Sequence, residues 1–227
     1  MFELFLKREK AIFDALNRLS AEKLTFVVVG GYGVSAYRHR FSVDADIVVS
    51  HGDAGRFEDA LERIGFRKTA SRELENVYSS RFIRYEKEED RISVDVLVGG
   101  LGVRQTGAAF SFDTLLKNSK PRKITGTSGE TTALVPGKET LIAMKIHSGR
   151  PTDLRDVVAL STGTDPKLVK PFLLTGDRKR IKGNLERLNS ILEDKGFIDS
   201  FKGVFMEKKY DADIEAARRI CRLAEEL

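Results

Sequence analysis

Hydrophobic positions along the chain follow two periods, and the change between them divides it. Leu4, Phe5, Ile12, Phe13, Leu16 and Leu19 recur at helical spacing and predict a first helix over 3–21. Thr25 to Val29 is short, β-branched and apolar and stops at Gly30-Gly31, the pattern of a buried strand ending in a tight turn. A short helix is expected over 32–39 and a second strand from Ala45 to Val49. Phe57, Ala60, Leu61 and Ile64 predict a helix over 53–64 that Gly65 stops. Residues 81–86 alternate, and 91–98 place Ile92, Val94, Val96 and Val98 on one face with Ser93, Asp95 and Leu97 opposite. The acidic run Glu88-Glu89-Asp90 joins these two segments as a hairpin. A short helix over 111–118 and one or two edge strands within the Thr-, Gly- and Ser-rich stretch 121–135 complete this half.

Past Pro136-Gly137 the period becomes helical throughout, over 138–148, 152–161, 178–194 and 211–226. The expected class is α+β: a mixed β-sheet domain flanked by helices over 1–136, then a helical C-terminal domain over 137–227. No internal repeat or low-complexity segment interrupts it.

Composition narrows the partners. The chain is 41% hydrophobic and 32% charged, and no apolar run approaches the roughly 18–20 residues that cross a bilayer. The opening Met1-Phe2-Glu3-Leu4 lacks the apolar core of a signal peptide, so the expected location is the cytoplasm. Cys221 is the single cysteine, which excludes an intrachain disulfide, and His39, His51 and His147 show no zinc-ligand spacing. Cys221 falls on the apolar stripe of the last helix, where core packing is the expectation. A net charge of +5 permits a nucleic-acid partner without demanding one, and the basic clusters Lys117–Lys123 and Arg178–Lys182 read as solvated surface. The 14 Phe read as core rather than as a base-stacking platform.

The candidate chemistry lies in Val29-Gly30-Gly31, then twelve residues, then Asp44-Ala45-Asp46-Ile47. Alternate side chains of a strand share a face, with Cα atoms about 6.5–7 Å apart. Paired metals in phosphoryl-transfer sites lie about 3.5–4 Å apart, so carboxylates at i and i+2 can converge on them. Carboxylate oxygens are the donors Mg²⁺ prefers. Gly30 and Gly31 let backbone approach a ligand closely, and N–H groups at the start of the following helix attract phosphate.

This pattern resembles the signature of the nucleotidyltransferase superfamily that shares the DNA polymerase β fold. Arg40-Phe41-Ser42-Val43-Asp44-Ala45-Asp46 is similar to the Arg-x-Thr-x-Asp-x-Asp of its abortive-infection AbiEii toxin-like, or minimal nucleotidyltransferase, branch. The resemblance covers residues 25–160 or so. It implies Mg²⁺ (two ions) at Asp44, Asp46 and a third carboxylate on a later strand, matched by Asp95, which would also serve as general base. An acid within an apolar strand is costly unless paired or metal-bound. The branch further implies a lysine and a downstream Arg/Lys-Asp-x-x-Asp, matched by Lys145, Arg150, Asp153 and Asp156; Lys145 would neutralise triphosphate charge, and Asp156 would orient it or bind nucleotide. Gly31 stands where many members carry Ser, and Ser35 is a candidate to replace that hydroxyl. Ser42 replaces the usual Thr.

The implied activity is transfer of a nucleoside monophosphate from an NTP such as ATP to a hydroxyl on RNA (tRNA ends), protein or a small molecule, with toxin–antitoxin membership as a biological role. The rival is a catalytically silent module of the same fold that binds RNA or a partner protein. Each residue also has a plainer reading. Asp44 and Asp46 would be a solvated strand end or helix cap, Gly30-Gly31 an ordinary turn, and Asp95 an exposed edge acid. Arg40 would be a clamp on a carboxylate, Lys145 and Asp156 a helix-surface ion pair, and His147 a packed or solvated side chain.

Overall fold

The computed structural model describes residues 2–74, 78, 80–205 and 212–227. The chain resolves into two compact units, Met1–Leu101 with Phe110–Pro136, and Gly102–Ala109 with Gly137–Leu227.

The first unit is built on a seven-stranded mixed sheet. Its elements begin with α1 (Phe2–Ala21), β1 (Phe26–Val29), α2 (Gly30–Ser35), β2 (Asp44–Val49) and α3 (Ala54–Arg63). They continue with β3 (Arg67–Glu73), β4 (Arg81–Lys87) and β5 (Ile92–Val98). A two-stranded ribbon, β6 (Gly100–Val103) and β7 (Ala108–Ser111), follows. Then come α4 (Phe112–Lys117), β8 (Ser119–Thr125) and β9 (Glu130–Pro136). The order across the sheet is β3-β4-β5-β2-β1-β9-β8. The pairs β2·β5 and β1·β9 are parallel and the others antiparallel.

The central strands are the most apolar, and Val27, Val28, Val29, Ile47, Val48 and Val49 are all fully buried. Each such side chain contributes about 1.5–3 kcal/mol on leaving water. The stripe of α1 (Ile12, Phe13, Leu16 and Leu19) is buried as its spacing predicts, with α1 lying against β5, β9 and α3. Gly65 stops α3 with φ +91°, its N–H on the Glu62 carbonyl and that of Phe66 on Leu61.

The structure departs from expectation where main-chain pairing outweighs side-chain pattern. β3 is exposed at every residue and carries no alternation, and backbone bonds to β4, with Lys68 paired to Glu58 of α3, hold it as a charged edge strand. β9 is interior, between β1 and β8, so of the one or two edge strands expected within 121–135, β8 is the edge. α2 begins at Gly30, two residues early, because φ +59° there turns the chain directly out of β1.

The second unit is helical: α5 (Lys138–Ser148), α6 (Pro151–Ser161), α7 (Pro166–Leu173), α8 (Arg178–Ile191), α9 (Lys195–Asp199) and α10 (Ile214–Cys221). α5 packs against α6, α7 and α8, and α10 lies on α6 and α8. Cys221 is buried in this core. The start of the last helix expected at residue 211 lies outside the described residues; α10 opens on the Asp213 side chain, which accepts from the Ala216 N–H. α7 has a capping signal instead of a long period: Asp165 accepts from the Lys167 N–H, and Pro166 occupies the first helical position.

The ribbon tip belongs to this unit through His147. That ring is fully buried, with Nδ1 2.9 Å from the Thr106 hydroxyl and Nε2 2.9 Å from the Phe172 carbonyl. A carbonyl only accepts, so Nε2 carries the proton and Nδ1 accepts from Thr106, which is the neutral ring. Burial pushes the His147 pKa below its ordinary 6.5, with the Phe172 bond opposing. The unfolded chain therefore takes up this proton at higher pH than the folded one. The contribution is complete above the unfolded value and is lost as pH falls. Melting curves from about pH 8 to about pH 5 should show stability falling on the acid side, with a shallower slope in His147→Gln. An unchanged slope in that variant would remove His147 from the account.

Among the described residues, no helix is long and apolar enough to cross a membrane.

Candidate active site

The hairpin turn after Lys87 fixes the register of β4 on β5, and β5 carries that register onto β2. Asp44 lies opposite Ser93, Asp46 opposite Asp95, and Arg84 opposite Asp95 from the other side. Register partners share a face, so Asp44, Asp46, Ser93, Asp95 and Arg84 rise from the same side of the sheet. Neighbouring strands lie about 4.8 Å apart, which makes Asp46 and Asp95 adjacent acids.

Each acid is held differently. Asp44 accepts from the Ser93 hydroxyl at 2.8 Å. Asp95 is only 6% exposed, and both its oxygens accept from Arg84, Nε to Oδ1 and Nη2 to Oδ2, each at 2.8 Å. A buried carboxylate requires such a partner. Those bonds hold the Arg84 guanidinium charged and push its pKa up, with Asp44 and Glu86 adding to the effect. Among the described residues, no three carboxylate, imidazole or thiolate side chains form a ready-made metal cluster. Asp46 and half-buried Asp44 nevertheless offer hard oxygen donors on one strand face.

The glycine pair closes in on these acids. A β-carbon at Gly30 would stand 1.8 Å from Asp46 Oδ2. One at Gly31 would stand 2.5 Å from Ser42 Oγ and 3.6 Å from Arg40 Nη2. Ser35 is buried, and its Oγ donates to the Arg40 carbonyl at 2.6 Å and accepts from the Arg40 N–H at 3.2 Å. Tyr32, also buried, donates to the Ser42 carbonyl at 2.7 Å. Burial, with Glu9 and Asp44 adding, pushes the Tyr32 phenol pKa upward, so it stays a donor. Gly30, Gly31, Ser35, Arg40, Asp44, Asp46 and Asp95 thus all belong to the first unit.

Lys145 and Asp156 belong to the second. Lys145 Nζ lies 2.9 Å from Asp153 Oδ1 and 2.8 Å from Asp156 Oδ2. All three are buried. Burial alone would lower the Lys145 pKa, but Asp156 and Asp153 outweigh it and raise it. Burial likewise works to raise Asp153, yet Lys145, Arg150 and Ser148 bring its pKa down to about 2.

Three residues with direct contacts here carry no motif: Arg84, Ser93 and Tyr32. Arg84 had a partial signal: the hairpin was legible, but a turn over 88–90 reflects 84 onto 94, and only the observed turn over 88–91 sets it opposite 95. Ser93 had none, because nothing local to either strand fixes how β2 and β5 align.

Two structures of the antibiotic-resistance factor ANT(2'')-Ia share this fold. A solution structure aligns with a TM-score of 0.51 and 15% identity, over 73% of this chain and 88% of that one. A crystal structure in complex with adenylyl-2''-tobramycin gives 0.50 and 15%, over 72% and 92%. At that identity the likeness speaks for fold alone. No curated protein matches the chain. The family profile described as nucleotidyl transferase AbiEii toxin, type IV toxin–antitoxin system, matches residues 14–218, well past residue 160 where the motifs end. The strand-borne acids and glycine turn thus sit within a match spanning most of the sequence, and the chain belongs to the AbiEii family of nucleotidyltransferase enzymes.

Proposed function

We propose that the enzyme transfers a nucleoside monophosphate from an NTP to a hydroxyl of RNA (tRNA among them) or of a protein, with Mg²⁺ bound at Asp44 and Asp46. The observation that carries this reading is the register setting Asp44, Asp46 and Asp95 on one face, with Gly30 against Asp46. Membership in the family supplies the NTP as substrate. The donor set fits Mg²⁺: Asp44 and Asp46 would hold it, and Asp95, whose oxygens Arg84 now bonds, would be the third donor. Bound there, Mg²⁺ would neutralise phosphate charge and polarise the α-phosphorus.

The side chains divide the work. Gly30 and Gly31 let the phosphates approach the main chain, and Arg40, whose backbone Ser35 holds, brings positive charge beside them. Asp95 takes the proton of the attacking hydroxyl on a carboxylate oxygen as Arg84 gives way. The acceptor oxygen bonds to the α-phosphorus, the α–β bridge breaks, and pyrophosphate leaves. Cytoplasmic action follows from an NTP substrate.

The test is incubation with each labelled NTP, Mg²⁺ and either total RNA or lysate protein. Label carried into RNA or protein supports the reading. A wild type that labels neither, while RNA stays bound, favours a silent binding module instead. Gly30→Ala probes the same geometry. It places a side chain at φ +59° and a β-carbon inside the Asp46 carboxylate. Folding should weaken by about 1–3 kcal/mol in urea titrations. Transfer should be lost at temperatures where the variant is still folded, because Asp46 must turn away. Normal transfer by folded Gly30→Ala would contradict the role of Asp46.

A further inference from the structure

Gly31 is buried, and the space its side chain would fill is taken. A β-carbon there would lie 2.5 Å from Ser42 Oγ, 2.9 Å from Ser42 Cβ and 3.6 Å from Arg40 Nη2. A hydroxyl and a guanidinium edge, both donors, therefore flank the glycine pair from the segment leading into β2. Ser42 is half-buried and reachable. Its hydroxyl donates to the Asp44 carbonyl at 3.1 Å, beyond the usual O–H···O range of about 2.5–3.0 Å. A charged phosphate oxygen is the stronger acceptor for that proton. Tyr32 fixes the Ser42 backbone through its carbonyl, so the hydroxyl is held in place before any ligand arrives. Ser35, by contrast, spends its oxygen on the Arg40 backbone in both directions.

We infer that Ser42, beside Arg40, supplies the hydroxyl that contacts a nucleotide phosphate at Gly30-Gly31, and that residue 31 is glycine because Ser42 fills its side-chain space. The inference rests on the nucleotide reading proposed above. It makes positions 31 and 42 reciprocal: a hydroxyl placed on one requires the other to be empty. Ser42→Gly removes the crowding atoms, and Gly31→Ser returns a hydroxyl across the same gap.

Isothermal titration of the full chain with tripolyphosphate and Mg²⁺, then with each NTP, tests this without relying on turnover. Ser42→Ala should weaken binding about tenfold, the scale of one hydrogen bond to a charged group. The double variant G31S/S42G should return to within about threefold of wild type, while G31A/S42G, with no hydroxyl at either position, stays weak. Circular-dichroism melts establish that both double variants fold, and their comparison decides the matter even where Ser42→Ala does not fold. Unchanged affinity in Ser42→Ala, or equal affinity in the two folded double variants, overturns the inference while leaving the nucleotide reading intact. A wild type that binds no polyphosphate and transfers no nucleotide overturns that reading, and this inference with it.

Discussion

Asp46→Asn should lose nucleotidyl transfer by about a thousandfold or more, some 4 kcal/mol in the barrier, while melting close to wild type. The substitution preserves shape, which matters because Gly30 leaves no spare volume beside this side chain. What it removes is charge. Asp46 faces Asp95 across β2 and β5, with Asp44 two residues away on the same face. Like charges so placed repel, and a divalent cation between them would relieve that repulsion. Asp44→Asn should behave alike, since an amide oxygen still accepts the Ser93 hydroxyl that Asp44 Oδ1 now accepts. The measurement pairs labelled-NTP transfer with a thermal melt. Near-normal transfer by folded Asp46→Asn would sink the metal assignment; a collapsed melt would make the residue structural.

Asp95→Asn makes a different case, because Arg84 grips both of its oxygens. Loss of activity there combines two causes, a missing carboxylate and a guanidinium left without its charge partner. Arg84 is also the residue that sequence pattern came nearest to giving and did not. Alternation on residues 81–86 and an acidic turn are visible in one dimension, but a turn over 88–90 reflects 84 onto 94, and only with Arg91 in the turn does 84 meet 95. The glycine pair and the two acids after it were legible for a related reason, being local features of a strand, a turn and a strand. The order of the sheet was not. β5 reaches β2 across a parallel contact between residues 49 apart, Asp44 and Ser93, and no nearby residue dictates that alignment. β3 stayed hidden because its seven residues are all exposed and main-chain bonds specify it. The space shared by Gly31 and Ser42 is tertiary in the same sense, since eleven residues of chain must return before the two meet.

Lys145→Met should destabilise the second unit by about 3–5 kcal/mol, the cost of stranding buried charge. Lys145 Nζ bridges Asp153 and Asp156, and both carboxylates are almost completely shielded from water. Arg150 and Ser148 still hold Asp153 after the change, so the loss falls mainly on Asp156. Neutralising that acid as well, in K145M/D156N, should recover much of the stability. Acid separates the variants by slope. In the wild type Asp153 is held down to about 2, so its contribution is complete above the ordinary 3.8 and fades as pH drops toward 2. Without the ammonium, Asp153 loses the largest of the partners that hold its pKa down, so Lys145→Met should lose less stability than wild type as pH falls. Urea titrations at neutral and acid pH read both slopes. The double variant then isolates the cause: recovery in K145M/D156N assigns the loss to a buried carboxylate left without its ammonium, the role that the two short contacts of Lys145 Nζ give it. A double variant no more stable than Lys145→Met would remove the ion cluster as the source of that loss.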